Sequence, residues 1–257
     1  MAIDFHSKRN RNTYTGRQAD AGWPKAIQRL VDPTGKRVAD IGCGGGIYSR
    51  AWHELGAEVV GVDFSEQMVA AAREQSADLS RISFRQGNAT ATGLPAASQD
   101  VVFERALIHH LNDYEAAFAE ARRVLVPSGR LIIQDRTPDD VQLPGSPEHI
   151  RGYFFERFPR LLAVEAGRRP TDAAVRAALL ATGFRDIETI VLWESRKTHE
   201  NTEQLARDLR ARTGRSILHD LSDGELEELI SHIGARIPAN GPIIEKDRWT
   251  LWSAIAW

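Results

Sequence analysis

A glycine-rich segment near residue 40 is the feature that most constrains the fold of this chain. The segment Asp40-Ile41-Gly42-Cys43-Gly44-Gly45-Gly46 lies between a short apolar run, Arg37–Ile41, and a helical pattern, Ile47–Leu55. Glycine permits a tight turn there and lets a ligand approach the backbone closely. The dinucleotide pattern Gly-x-Gly-x-x-Gly starting at Gly42 would need glycine at position 47, where the chain has Ile47. The segment therefore predicts a strand, a ligand-binding turn and a helix, outside the usual dinucleotide pattern.

Apolar runs of strand length alternate with helical patterns from about residue 20 to residue 195, which predicts a parallel sheet with crossover helices. The further helices are expected at Ala21–Val31, Ser65–Gln75, Asp113–Leu125 and Thr171–Thr182. The further strands are expected at Glu58–Val62, Ile82–Arg85, Asp100–Glu104, Arg130–Asp135, Ile187–Trp193 and Arg248–Trp257. We expect the whole chain, 1–257, to form one domain with helical insertions at about 137–170 and 196–247.

Aromatic side chains are concentrated in the first insertion and in the last strand. Phe154, Phe155 and Phe158 either line an apolar pocket or pack the insertion, and core packing is favoured. Trp249 and Trp257 fall on one face of the last strand and Trp252 on the other. This placement is expected for a strand that helices cover on both sides.

Charge and cysteine content exclude several classes of protein. The 257 residues carry 33 Lys and Arg against 35 Asp and Glu, a net charge of −2, which argues against a general nucleic-acid or membrane-surface role. The single cysteine, Cys43, allows no intramolecular disulfide and no cysteine-rich metal cluster. We find no apolar stretch of the roughly 18 residues that a membrane span needs, and no signal-peptide pattern. A cytoplasmic protein is expected.

An acid follows the glycine turn at the spacing that a nucleoside requires. Asp63 ends the second strand, twenty-one residues after Gly42. A carboxylate in that position accepts hydrogen bonds from both hydroxyls of a ribose that lies over the turn. A nucleoside ligand is the simplest interpretation.

These segments resemble those of class I S-adenosylmethionine-dependent methyltransferases. Asp40-x-Gly42-x-Gly44-x-Gly46 is similar to the family's first motif, and Val60-Gly61-Val62-Asp63 to its acidic strand end. Gln86-Gly87-Asn88-Ala89 looks like the adenine-binding turn, where an Asp is commoner. The segment 103–111 resembles the fourth strand of small-molecule methyltransferases, and 123–131 the connection to the fifth. The resemblance extends over about residues 14 to 136.

The resemblance implies a Rossmann-like α/β fold with a doubly wound, mostly parallel, seven-stranded sheet. It further implies S-adenosyl-L-methionine as the methyl donor, a small organic acceptor, in-line displacement and no obligatory metal. Residues 1–20 look like an N-terminal lid, in which Arg17 would pair with the cofactor's carboxylate and Tyr14 would close over the sulfonium. The cofactor-binding residues that it implies are Tyr14, Arg17, Gly42, Cys43, Gly44, Gly46, Asp63, Phe64, Met68, Asn88, Ala89, Arg105 and His109.

Several polar side chains carry two interpretations each. His109 or His110 is a candidate catalytic base for an acceptor with a hydroxyl or an acidic carbon, but the family often has a packing histidine at this position. Glu104 and Arg105 either pair with each other or bind a charged acceptor. Asp135 either orients an amine or hydroxyl or caps a loop. Cys43 is expected to be a small packing residue.

Two rival functions have tests of their own. A non-catalytic sensor or partner subunit would bind the nucleoside without turnover, and a nicotinamide-dependent oxidoreductase would bind NADH instead. Ile47 and the fourth-strand resemblance disfavour the oxidoreductase. We expect no nucleic-acid partner and no membrane partner, and a homodimer is left open.

Overall fold

The computed structural model describes residues 18–212, 214–238 and 240–257. Its strands are β1 (Arg37–Ile41), β2 (Glu58–Asp63), β3 (Ile82–Gln86), β4 (Gln99–Arg105), β5 (Leu125–Asp135), β6 (Phe184–His199) and β7 (Ile243–Ala256). Its helices are α1 (Trp23–Leu30), α2 (Ile47–Glu54), α3 (Glu66–Gln75), α4 (Tyr114–Val124), α5 (Pro138–Val141), α6 (Ile150–Arg157), α7 (Arg160–Gly167), α8 (Asp172–Ala181), α9 (Thr202–Arg210) and α10 (Asp223–Gly234). Among the described residues, two 3₁₀ turns cover Ile108–His110 and Ser216–Asp220.

The strands form one sheet of seven in the order β3-β2-β1-β4-β5-β7-β6. Pairing is parallel from β3 through to β5, and β7 joins β5 antiparallel, with Asp135 opposite Thr250. The expected α/β fold with a mostly parallel seven-stranded sheet is confirmed. Because β1, β2, β4 and β5 run the same way, their carboxyl ends lie at one edge of the sheet.

Apolar side chains cover both faces of the sheet. On one face Phe118 of α4 and Leu179 of α8 pack against strand residues such as Ile133 in one buried cluster. On the other face the rings of Trp23 and Trp52 lie 5.7 Å from that of Phe103, measured between centroids. The two covered faces explain why β1 and β4 have almost no exposed positions.

Most element boundaries agree with the sequence to within two residues, and the departures have physical causes. β5 begins at Leu125, ahead of Arg130, because Leu125 pairs with Gln99 before the register shifts. β6 and β7 extend well into the expected insertion 196–247, so its two ends are strand. Buried charges such as Glu245 in β7 hide the period-two pattern that would have indicated a strand.

The contacts within the chain divide it into two compact units. The sheet unit comprises the described residues up to Asp135, together with Pro170–Leu192 and Thr250–Trp257. The helical unit comprises Arg136–Arg169 and Trp193–Trp249. Most of the two predicted insertions lies in the helical unit, and the assignment of 1–257 to a single domain stays a prediction.

The helical unit has a core of its own. Phe154, Phe155 and Phe158 are buried there with residues of α9 and α10, so the packing interpretation of these aromatics is confirmed. Ser222 begins α10 with a capping box, in which its hydroxyl accepts from the backbone N–H of Glu225. The further buried apolar members of this core include Val141, Ile150, Leu161, Leu205, Leu209, Ile217, Leu218, Leu226, Leu229 and Ile233.

The tryptophans of the last strand behave differently from one another. Trp249 and Trp252 are buried, but Trp257 lies beyond the end of β7 and is 70% exposed. Its ring contacts the guanidinium of Arg185 instead. The expectation of a buried Trp257 was wrong because the strand ends at Ala256. No helix among the described residues is long and apolar enough to cross a bilayer.

Candidate S-adenosylmethionine site

The glycine turn after β1 combines two glycines that packing requires with two that face open space. Gly42, Gly44 and Gly46 have φ values of +75°, +51° and +77°, a region that side chains disfavour. A Cβ at Gly42 would lie 3.0 Å from Leu107, and one at Gly46 would lie 3.0 Å from Phe84. A Cβ at Gly44 or Gly45 would meet no heavy atom within 4 Å. The backbone of these two residues is therefore accessible to a ligand, immediately before the N-terminus of α2.

Asp63 connects the end of β2 to this turn. One carboxylate oxygen accepts from the backbone N–H of Gly44 at 2.9 Å, and the other accepts from the backbone N–H of Ser65 at 2.9 Å. The residue is 6% exposed. Each carboxylate oxygen has two acceptor sites, and the hydroxyls of a ribose are donors of the kind that such a group binds.

Asp40 fastens the start of the turn to α2. Its buried carboxyl accepts from the hydroxyl of Ser49. Burial raises the pKa of Asp40 to about 7, and the negative charge of Asp63 adds to the effect. A nearby cation stabilises the ionised form of a buried carboxyl such as this one. The ammonium group of an amino acid is one such cation.

Cys43 lies in the turn as a packing residue. It is buried beside Val69, Ala72 and Phe84. Burial, with Asp40 and Asp63 adding to it, raises the pKa of the Cys43 thiol well above its usual range. A protonated buried thiol is a poor nucleophile, which agrees with the expected packing role.

The next candidates differ in exposure. Phe64 is 46% exposed directly after Asp63, so its ring can cover a flat ligand. Met68 is buried in α3, and Ala89 packs against the core of the sheet unit. The side-chain oxygen of Asn88 accepts from the backbone N–H and the hydroxyl of Thr90, both at 3.1 Å. An adenine contact through that oxygen stays a prediction and would compete with these bonds.

His109 meets Asp135 at the carboxyl ends of β4 and β5. Nδ1 of His109 lies 2.8 Å and 3.0 Å from the two carboxylate oxygens of Asp135, and its backbone N–H donates to the same group at 3.3 Å. Asp135 is fully buried. The ring of His110 lies tilted by 41° against that of His109, with 3.9 Å between the centroids, and His110 itself is exposed. Sequence reasoning proposed both histidines but missed Asp135 as the partner.

Glu104 and Arg105 do not pair with each other, which corrects that expectation. Successive residues of a strand point to opposite faces, so the two side chains diverge. Arg105 lies 4.1 Å above the ring of Tyr48. Glu104 is fully buried, and neither of its carboxyl oxygens has a hydrogen-bond partner among the described residues. Burial raises the pKa of Glu104 to about 8, and the charge of Asp135 adds to the shift.

Two candidates, Tyr14 and Arg17, lie outside the described residues.

In the helical unit, His199, Asp208 and Glu245 have the spacing of metal ligands. Both carboxylates there already bind Arg215, at 2.6 Å in the case of Glu245. A dication would have to displace a buried guanidinium, so we interpret this group as an ion-pair network.

Comparison with known proteins identifies the family of this chain. Residues 39–133 match the family model described as a methyltransferase domain. The demethylmenaquinone methyltransferases of Deinococcus radiodurans and Thermus thermophilus are 31% and 34% identical to this chain over 65% of its length. The matched regions cover 75% and 82% of those two enzymes. A ubiquinone biosynthesis O-methyltransferase of Cereibacter sphaeroides is 33% identical over 46% of this chain, which spans about half of that enzyme (49%).

A solved structure supports the fold. A putative methyltransferase from an antibiotic biosynthesis pathway of Anabaena variabilis has a TM-score of 0.68 at 22% identity, over 91% of this chain and 98% of that one. The chain belongs to the class I S-adenosylmethionine-dependent methyltransferases. It is an enzyme that uses S-adenosylmethionine, and the turn with two open glycines beside Asp63 fits that cofactor.

Proposed function

We propose that the enzyme transfers a methyl group to a small organic acceptor by in-line displacement. The observation that carries the proposal is the turn at Gly44 and Gly45, whose open backbone lies beside the carboxylate of Asp63. The bound cofactor supplies an electrophilic methyl group with its own leaving group. What remains for the protein is to hold the reactants in line and to exclude water.

Each part of the site has one binding task in this proposal. Asp63 accepts the ribose hydroxyls, and Phe64 covers the adenine. The open backbone of the turn and the carboxyl of Asp40 receive the amino-acid end. Gly42 and Gly46 hold the turn in shape, since packing excludes a side chain at either position. Tyr14 and Arg17 remain candidate lid residues.

Two further observations support a small acceptor. Two relatives that this chain matches over most of their length are named demethylmenaquinone methyltransferases. Quinone-like molecules are therefore the first acceptors to screen. The net charge of −2 gives no general attraction to nucleic acid. A cytoplasmic location remains part of the proposal.

The test combines calorimetry with a turnover assay. Titration of S-adenosylmethionine into the purified protein should give saturable binding, and a metabolite mixture containing reduced quinones should then yield S-adenosylhomocysteine. Binding without turnover in any mixture would favour the non-catalytic sensor. Absence of binding at millimolar cofactor would refute the proposal.

A further inference from the structure

A histidine and an aspartate form a fixed pair at one edge of the sheet. The 3₁₀ turn that carries His109 follows β4, and Asp135 is the last residue of β5, the parallel neighbour of β4. Strand pairing and three short contacts, two to Nδ1 and one to the backbone N–H of His109, hold the pair together. The ring of His110 packs against the His109 ring at 3.9 Å between centroids.

This geometry assigns different roles to the two ring nitrogens. An ionised carboxylate only accepts hydrogen bonds, so Nδ1 of His109 carries the hydrogen that Asp135 accepts. The neutral imidazole then has its lone pair on Nε2, which is the basic nitrogen. The side chain of His109 is 10% exposed, so the ring lies at the boundary of the buried region.

Glu104 supports the assignment of the charge to Asp135. It is a second fully buried carboxyl near Asp135, and two buried carboxylates at close range do not both ionise readily. Asp135 has the imidazole N–H as a donor, whereas Glu104 has no hydrogen-bond partner among the described residues. The proton therefore stays on Glu104 near neutral pH, and the negative charge stays where it orients His109.

We propose that His109 is the catalytic base of the methyl transfer, positioned by Asp135, and that the acceptor is a phenol or an enol. This inference rests on the proposed function and specifies its acceptor class. The acceptor's oxygen or carbon bonds to the methyl carbon, and its proton moves to Nε2 of His109. The electron pair of the broken carbon–sulfur bond stays on the departing thioether, so atoms and charges balance. A neutral amine attacks through its own lone pair and needs no base before attack.

A purely structural role for the pair makes different predictions. If Asp135 only anchored the turn, replacing it by Asn would change stability and cofactor binding. In that case the tautomer of His109 would have no effect on kcat. If it positions a base, Asp135→Asn changes the tautomer and lowers kcat with little change in the affinity for S-adenosylmethionine.

The first experiment reads the tautomer directly. Long-range ¹H–¹⁵N correlation spectra of the labelled protein contain signals from eight histidines, and His109→Asn identifies those of His109 by their loss. We expect the Nδ1–H form at neutral pH in the wild type, and a shift toward the Nε2–H form in Asp135→Asn. A wild-type His109 in the Nε2–H form would overturn the proposal.

The second experiment tests the acceptor class. Binding of S-adenosylmethionine is first measured by calorimetry, and its absence would refute the proposed function itself. With binding intact, release of S-adenosylhomocysteine is measured with a hydroxyl panel (catechol, a reduced naphthoquinone and 2,4-pentanedione) and an amine panel (ethanolamine and benzylamine). Turnover of the hydroxyl panel is expected. Turnover of the amines alone, or no turnover of the hydroxyl panel, would overturn the acceptor assignment while leaving cofactor binding established.

Variants then assign the base. His109→Asn should lower kcat on the active hydroxyl acceptor by about 100-fold or more, with the dissociation constant of S-adenosylmethionine within about twofold of the wild type. Asp135→Asn should lower kcat by about tenfold or more. His53→Asn and Asp78→Asn are matched controls in α2 and after α3. Undiminished kcat in His109→Asn would overturn the role of His109.

Discussion

Replacing the buried Glu104 by Gln should change how the stability of the protein depends on pH. In the folded state burial and the charge of Asp135 raise the pKa of Glu104 to about 8, against an ordinary value of 4.5. Between these values the folded state holds a proton that the unfolded state has released, so the free energy of unfolding falls as pH rises. Gln carries no titrating proton and resembles the protonated carboxyl in shape and polarity.

The magnitude follows from the shift in pKa. One unit of pKa is worth about 1.4 kcal/mol, so Glu104 should remove about 3 kcal/mol of stability from the wild type between pH 5 and pH 8. The loss begins above the unfolded pKa of 4.5 and is complete once the pH exceeds the folded pKa of about 8. Other shifted groups, such as Asp40, titrate in both proteins and cancel in the difference.

Urea unfolding at several pH values measures this difference. The free energy of unfolding of Glu104→Gln minus that of the wild type should increase steadily from pH 5 to pH 8. Glu188→Gln, at an exposed position on β6, is the matched control and should show no such trend. Parallel pH profiles for the wild type and Glu104→Gln would refute the interpretation of Glu104 as a neutral buried acid.

The remaining predictions concern the cofactor site, the packing of β2 and the buried charges of the helical unit. Asp63→Ala should weaken S-adenosylmethionine binding by about 2 to 3 kcal/mol in calorimetry, because charge-assisted bonds to the ribose are lost; unchanged affinity would remove Asp63 from the site. Gly61→Ala should lower the free energy of unfolding by about 1 to 3 kcal/mol, because its Cβ would lie 2.4 Å from Phe84. The control Gly45→Ala meets no neighbouring heavy atom within 4 Å, and equal effects of the two variants on urea unfolding would contradict this reasoning. Arg151→Met should cost about 1.5 to 3 kcal/mol in the same assay, since it removes a charge-assisted hydrogen bond to the buried Asp247 and an ion pair with the buried Glu165; a loss below about 0.5 kcal/mol would show that these contacts of Arg151 are dispensable.

The sequence predicts the strands and the glycine turn at the candidate cofactor site well because these features are local, and the cofactor contacts themselves stay predictions. The turn from Gly42 to Gly46 and the acid at Asp63 are each defined by a few consecutive residues, and β1 agrees with its predicted bounds. Adjacent residues of a strand point to opposite faces, so the sequence already indicates that Glu104 and Arg105 diverge. The interpretation of the two as an ion pair did not take this into account.

The rest of the site depends on contacts that are distant in sequence. His109 and Asp135 are twenty-six residues apart, and only the adjacency of β4 and β5 brings them together. The long β7 is hidden for a related reason: Glu245 and Asp247 occupy buried positions that look like solvent-facing ones until their arginine partners are known. A prediction based on hydrophobic periodicity treats every polar residue as exposed. It therefore misses strand positions where a polar residue is buried against a polar partner.

A crystal structure of the protein with S-adenosylhomocysteine bound would test the account most directly. The account predicts both ribose hydroxyls within hydrogen-bond distance of the Asp63 carboxylate and the amino-acid end of the ligand against the backbone of Gly44 and Gly45. A ribose bound away from Asp63, with the turn untouched, would contradict it.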